Sequence, residues 1–160
     1  MKTAGNHGYP VSEILHVQDE KPSNTAGGGC IAGSQIRTLN TVVSNSIPGA
    51  SLATDKITLP AGRYKITASA PGYFCDRHRI RFLNVTDTTV VLVGTSEFVA
   101  GSVSATTRSL ITGVFTITAT KDFNITHHTQ TSIAGNGLGV QTVTDALVEV
   151  YTTVMIEKIG

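Results

Sequence analysis

Residues 59–73, LPAGRYKITASAPGY, constrain the fold more than any other stretch of this chain. Pro60 and Gly62 supply a turn; Tyr64, Ile66, Ala68 and Ala70 then alternate with Lys65, Thr67 and Ser69, and Pro71-Gly72 is expected to close the segment. A period of two over this length places one face on a core and the other in water, as in a strand of an antiparallel sheet.

The rest of the chain repeats the theme. Short apolar runs bounded by Gly, Pro, Asn, Asp or Ser follow one another from Ile14 onward, and no amphipathic helical pattern of useful length intervenes. Strands are expected at 14–18, 37–43, 56–59, 63–70, 78–85, 89–94, 109–120, 123–131 and 146–159, which makes an all-β sandwich or barrel. The last of these is the longest regular stretch. Ala146, Val148, Val150, Thr152, Val154 and Ile156 fall on one face, and Leu147, Glu149, Tyr151, Thr153, Met155, Glu157 and Ile159 on the other. Both faces are largely apolar, which suits a strand covered on both sides. A neighbouring subunit provides such a cover, and so do loops packed on a monomeric sandwich.

Several motifs carry a resemblance beyond this pattern. Ala61-Gly62-x-Tyr64, Leu83-Asn84-x-Thr86-Asp87, Gly94-Thr95-Ser96 and Glu149-Val150-Tyr151, in that order, resemble a jelly-roll domain of tailed-bacteriophage virion proteins, the tail-protein and tail-fibre-knob family. The likeness runs from about Ile14 to the end, and residues 29–35 look shortened or altered where the family usually carries an aromatic. It implies an antiparallel jelly-roll sandwich, residues 13–160, with a topology like tumour-necrosis-factor and complement globular heads. It further implies a homotrimer without enzymatic activity, located in the virion and assembled in the bacterial host cytoplasm. The trimer interface is then expected at Phe115, Tyr151, Thr153 and Met155.

Residues 1–12 are small, polar and Gly-containing, and they show neither period; with Tyr9 and Pro10 they read as a docking arm. The expected partners are other copies of the chain, other virion proteins of capsid or tail, and a host surface glycan. Loops at 71–76, 94–107 and 135–144 are candidates for the outward end. The absence of a heptad, collagen-like or other repeat argues against a long shaft, and so for a compact knob or a capsid decoration protein. A free lectin-like module of the same fold is the alternative, with Tyr73 and Phe74 as its aromatic platform in a chain that has no Trp.

Composition limits other classes. A chain of 160 residues makes one domain with one core, and only 14% of it is charged against 40% hydrophobic, a balance that favours burial between subunits. A net charge of +1 provides no long-range field for nucleic acid or anionic membrane. No stretch approaches a membrane span, and the first ten residues lack the apolar run of a secretory signal. Cys30 and Cys75 fall in segments that the alternation does not bring together, and are expected as free thiols. Asn84-Val85-Thr86 and Asn124-Ile125-Thr126 match a glycosylation acceptor by accident if the chain is never secreted.

Site chemistry is sparse. The Gly-rich stretches 26–29 and 135–139 open no helix that would receive a phosphate, and read as turns. His127 and His128, adjacent on a strand, point to opposite faces; only three copies converging on a threefold axis would bring either histidine to one ion, and no cofactor or metal is expected. Arg77, Arg79 and Arg81 recur at period two and form a basic stripe opposite Ile80 and Phe82. Such a stripe suits bidentate contact with an acidic glycan or another virion protein, or ion pairs with Asp76, Asp87 or Glu97. No nucleophile elbow or Cys-His motif appears, so no catalytic residue is assigned.

Overall fold

The computed structural model describes residues 12–142 and 145–160, and these form twelve β-strands and no helix. The expected docking arm, with Tyr9 and Pro10, lies outside the described residues except for Ser12, as do the last two residues of the expected outward loop 135–144. The strands are β1 (Glu13–Lys21), β2 (Gly33–Ile36), β3 (Thr41–Asn45), β4 (Ser51–Ala53), β5 (Lys56–Leu59), β6 (Gly62–Tyr73), β7 (Asp76–Asn84), β8 (Thr89–Val93), β9 (Glu97–Val99), β10 (Thr106–Ile117), β11 (Lys121–Thr129) and β12 (Glu149–Lys158). One sheet has the order β10-β6-β12-β1-β3. The other has the order β4-β5-β11-β7-β8, with β2 added beside β11 and β9 beside β7. Every pairing is antiparallel, and the two sheets enclose one core as a jelly-roll sandwich.

β6 follows its sequence pattern: Tyr64, Ile66, Ala68 and Ala70 are buried while Arg63, Lys65 and Thr67 are exposed. It departs from expectation at its end. The strand runs through Pro71 and Gly72 to Tyr73, paired with β10 as Pro71↔Arg108 and Tyr73↔Thr106. β12 stops pairing with β6 at Ser69↔Thr153, so Pro71 sits on a locally unpaired edge where its missing N–H costs no ladder bond. The chain reverses instead at Phe74 and Asp76, both in the left-handed region with φ of 58°.

The expected strand at 37–43 is two elements. β2 ends at Ile36 in the seven-stranded sheet, β3 begins at Thr41 in the five-stranded sheet, and Arg37 to Asn40 cross between them. β12 likewise begins at Glu149, not at 146, and its alternation is broken. Gln18 pairs with Thr153 and Glu20 with Val150, so Tyr151 and Thr152 together oppose Asp19 in a β-bulge. The extra residue turns Glu149 and Tyr151 inward together with Thr152, Val154 and Ile156, and leaves Val150 and Met155 exposed.

One part of the interior is built around an aromatic cluster. Phe82 stacks on Phe123 at 4.7 Å between centroids, and Phe115 packs on Phe82 at 5.1 Å and on Tyr64 at 5.5 Å. Full burial of such a ring contributes about 1.5–3 kcal/mol. Phe115, expected between subunits, is therefore a core residue, 8% exposed within a single chain. Tyr151, also expected there, is 3% exposed, and its hydroxyl donates to the Thr25 carbonyl at 2.7 Å. Its ring lies where a side chain on Gly139 would have to stand, because a Cβ there would collide with Tyr151 Cδ1. Alternation names two faces without saying which one is the core, which misplaces Phe115, whereas Tyr151 faces inward because the bulge breaks the alternation ahead of Thr153.

Another part of the interior is polar and is organised by Arg37, which is fully buried. Its Nε donates to Thr152 Oγ1 at 2.7 Å, Nη2 to the Leu138 carbonyl at 2.9 Å, and Nη1 to the Pro71 carbonyl at 3.3 Å and to His127 Nδ1 at 3.4 Å. Burial pulls its pKa down to about 10, opposed by the nearby Asp19 carboxylate, so it stays cationic at neutral pH. Cys30 and Cys75, not expected to meet, share a small second cluster with Val99 and Leu138, both as free thiols. A hydrogen bond from Cys75 holds the Cys30 thiol down to about 6 and pushes Cys75 up.

Arg37→Ala is expected to cost about 3–5 kcal/mol, because it strips the donors from four buried acceptors, Thr152, His127 and the Pro71 and Leu138 carbonyls. Equilibrium denaturation of wild type and variant measures the loss; a change below about 1 kcal/mol contradicts the organising role.

Candidate functional site

β7 builds the wall of a surface cleft. Its alternation sends His78, Ile80 and Phe82 inward and leaves Arg77 and Arg79 exposed, with Arg81 half-buried, so the basic stripe exists as expected. β9 pairs with the start of β7, setting Phe98 opposite Arg77 and Glu97 opposite His78. β11 pairs on the other side and sets His128 opposite Arg79. Arg77, Arg79, Ser96, Glu97, Phe98 and His128 converge on a cleft of about 450 Å³. The Arg77 guanidinium lies 5.5 Å from the Phe98 ring centroid and donates to Gln130 Oε1 at 3.0 Å. Phe98 is 58% exposed.

The ion pairs that would neutralise the stripe are not formed among the described residues. Asp76 accepts from the Gly101 N–H at 2.9 Å and from the Thr131 hydroxyl; Asp87 pairs with Lys121 at 2.7 Å; Glu97 accepts from the Thr95 hydroxyl at 2.7 Å. Arg79 has no carboxylate partner among these residues. Arg81 does not line the cleft, and Tyr73 and Phe74 stack on each other at 5.8 Å in the β6–β7 turn, half-buried and apart from it. Sequence reasoning held Ser96, Glu97 and Phe98 only within the candidate outward loop 94–107, and did not join them to the arginine stripe or single out Phe98. The signal was present in Gly94-Thr95-Ser96 and an aromatic two residues on, but the three-residue β9 is too short to announce itself.

The adjacent histidines do face opposite ways. His127 is fully buried and His128 exposed. Buried in the chain's own core, His127 reaches no external axis, and no group of three or more metal-ligating side chains occurs among the described residues. His127 belongs instead to a directed hydrogen-bond chain behind the cleft wall. Arg37 can only donate, so His127 Nδ1 accepts, and neutral His127 carries its proton on Nε2. That N–H donates to His78 Nδ1 at 3.0 Å, which leaves His78 Nε2–H to donate to Thr107 Oγ1 at 2.8 Å. Burial depresses both imidazoles; His127, with Arg37 and His78 adding repulsion, falls to about 2.

On the opposite side of the sandwich, the outer face of the five-stranded sheet carries two complete rows without Lys, Arg, Asp or Glu. They read Leu110-Ser69-Thr153-Gln18-Thr41 and Thr112-Thr67-Met155-His16-Ser44 across the five strands. Thr153 is half-exposed and Met155 40% exposed, so these two of the four expected interface residues stand at the centre of this face. Arg108, which donates to Ser69 Oγ at 2.9 Å, borders it at one end, and the Lys65-Glu157 pair at the other.

Comparison with known proteins identifies the fold. The chain is similar to murine APRIL at pH 5.0, with a TM-score of 0.61 and 9% identity over 93% of this chain and 100% of that one. It is also similar to the globular domain of the zebrafish complement 1qA protein, with a TM-score of 0.57 and 16% identity over 94% of this chain and 98% of the other. No family model matches the sequence. No curated protein matches it either.

The histidine pair sets a pH dependence. The unfolded chain takes up protons near pH 6.5 and the folded chain resists them, so protons favour unfolding. Stability is complete above about pH 6.5 and declines as pH falls below it. Thermal melting from pH 8 to pH 4 is expected to show this decline, and His127→Gln to flatten it; an unchanged slope contradicts the assignment.

Proposed function

We propose that this chain is a non-enzymatic, homotrimeric knob of a tailed-phage virion, acting as a tail- or head-fibre knob in host attachment or as a capsid decoration protein. The observation that carries the trimer is the uncharged double row across the five-stranded sheet. Ten adjacent outward positions without a carboxylate, ammonium or guanidinium are unusual for a face kept in water, where charge maintains solubility. Short Thr and Ser side chains make the face flat, and Leu110 and Met155 supply apolar area to bury. The jelly-roll fold shared with murine APRIL and the complement 1qA globular domain supports this reading.

The virion setting rests on the sequence motifs described above. In that setting the chain assembles in the bacterial host cytoplasm, and residues 1–12, with Tyr9 and Pro10, dock the knob onto a capsid or tail partner. A free lectin-like module of the same fold is the second reading, favoured by the arginine- and phenylalanine-lined cleft.

Light scattering on the eluting protein is expected to give three times the chain mass. Thr112→Asp with Met155→Glu is expected to give monomers that keep the β-sheet circular-dichroism spectrum and melt cooperatively at a lower temperature than the trimer, since both side chains are outside the core and an unpaired carboxylate in a dry interface is costly. A monomeric wild type overturns the trimer. Deleting residues 1–12 is expected to abolish incorporation into virions while leaving the trimer intact; unaltered incorporation removes the docking role.

A further inference from the structure

We propose that the β7–β9–β11 cleft binds a carboxylated saccharide, a sugar ring bearing one carboxylate and free hydroxyls. The inference deepens the attachment reading and rests on it for its biological setting, while binding itself is measurable on the isolated protein.

The cleft offers three kinds of contact at once. Arg79 supplies a guanidinium without a carboxylate partner among the described residues, and His128 stands beside it across the β7–β11 ladder. Directly opposed side chains in a ladder stand about 4.5–5.5 Å apart at Cβ, within reach of one carboxylate. Arginine's planar fork matches that group with two parallel N–H donors. Phe98, more than half exposed and held by the Arg77 guanidinium at 5.5 Å, presents an apolar ring edge and face on which the C–H side of a pyranose can lie. Glu97 and Ser96 line the same cleft and are acceptors for sugar hydroxyls.

Glu97 decides between anions. A phosphate dianion entering the cleft meets this carboxylate as well as the arginines, and the repulsion offsets part of the gain. A monoanionic sugar places one charge on Arg79 and turns neutral hydroxyls toward Glu97. The volume of about 450 Å³ also exceeds what a bare anion fills, and falls in the size range of small-molecule sites. The cleft lies on the seven-stranded sheet, on the side of the sandwich away from the uncharged rows, so self-association through those rows leaves it open.

Calorimetric titration with tetragalacturonate tests the assignment. Wild type is expected to bind it, and the fully methyl-esterified tetramer, which keeps the rings and loses the charge, to bind at least about tenfold more weakly. Arg79→Gln and Phe98→Ala are each expected to weaken binding by about tenfold or more, the loss of one charge-assisted contact or one stacking surface. Lys121→Ala, on the same sheet but outside the cleft, is expected to leave binding unchanged, and melting temperatures check that all three variants are folded. Equal binding of inorganic phosphate overturns the proposal in favour of a general anion site. Binding of hexaglutamate without tetragalacturonate overturns it in favour of an acidic protein partner, and absence of binding by both overturns it outright. The Thr112→Asp, Met155→Glu variant is titrated in parallel. If it is monomeric and binds, the saccharide assignment stands without dependence on the trimer; if wild type is trimeric and does not bind, the assignment fails and the trimer stands.

Discussion

A single buried guanidinium holds the two halves of this sandwich in register. Arg37 enters the core at the point where the chain crosses from β2 to β3, and it donates to Thr152 and Pro71 of the five-stranded sheet, His127 of the seven-stranded sheet and Leu138 of the long β11–β12 connection. Each of these acceptors is thereby withdrawn from water without being orphaned. A charge in this position is costly to desolvate and is tolerated because Asp19 faces it across the interior and because four acceptors divide its donors. The aromatic part of the core supplies cohesion that is indifferent to direction. Arg37 supplies the directional part, since its planar fork admits few arrangements of the surrounding backbone.

The same residue reaches the candidate site indirectly. By donating to His127 Nδ1 it selects the tautomer of His127, then that of His78, and the chain of donors ends on Thr107 at the base of β10. His78 also lines the cleft, but the ring nitrogens of both imidazoles are committed to this chain, which leaves His128 as the exposed imidazole there. The stripe on the outer side of β7 is held open by a second set of commitments, because Asp76, Asp87 and Glu97 are occupied by threonine hydroxyls, backbone N–H groups and Lys121. Arg79 is therefore left available by the way its neighbours are satisfied. The two exposed features of interest then lie on opposite sheets, one flat and uncharged, the other concave and basic.

Much of the architecture was legible in the residues. Alternation in β6 and β7 identified both strands and their inward sets, and the resemblance supplied the jelly-roll topology that the structure adopts. Three kinds of information were not legible. Period two separates faces but does not assign them, so Phe115 was expected outside and lies inside, and it does not announce a bulge, so Tyr151 lies on the opposite side of the sheet from Thr153 and Met155. A change of sheet leaves no mark on composition, so the apolar character of 37–43 read as one strand although Arg37 to Asn40 cross the core. Strands of three residues such as β4 and β9 exist only through their partners, and with β9 went Phe98 and the far wall of the cleft. Thr153 and Met155, expected at a subunit interface, lie beyond the bulge on the outer face of the five-stranded sheet.

That bulge has a consequence for how the chain tolerates change. Opposite Asp19, β12 spends two residues where β1 spends one, and only this surplus lets Tyr151 and Thr152 both face inward. What is fixed at this point is the number of residues more than their identity. Insertions or deletions of a single codon between Glu149 and Thr153 transpose every later side chain of the strand from one side of the sheet to the other, whereas conservative replacements at the same positions do not.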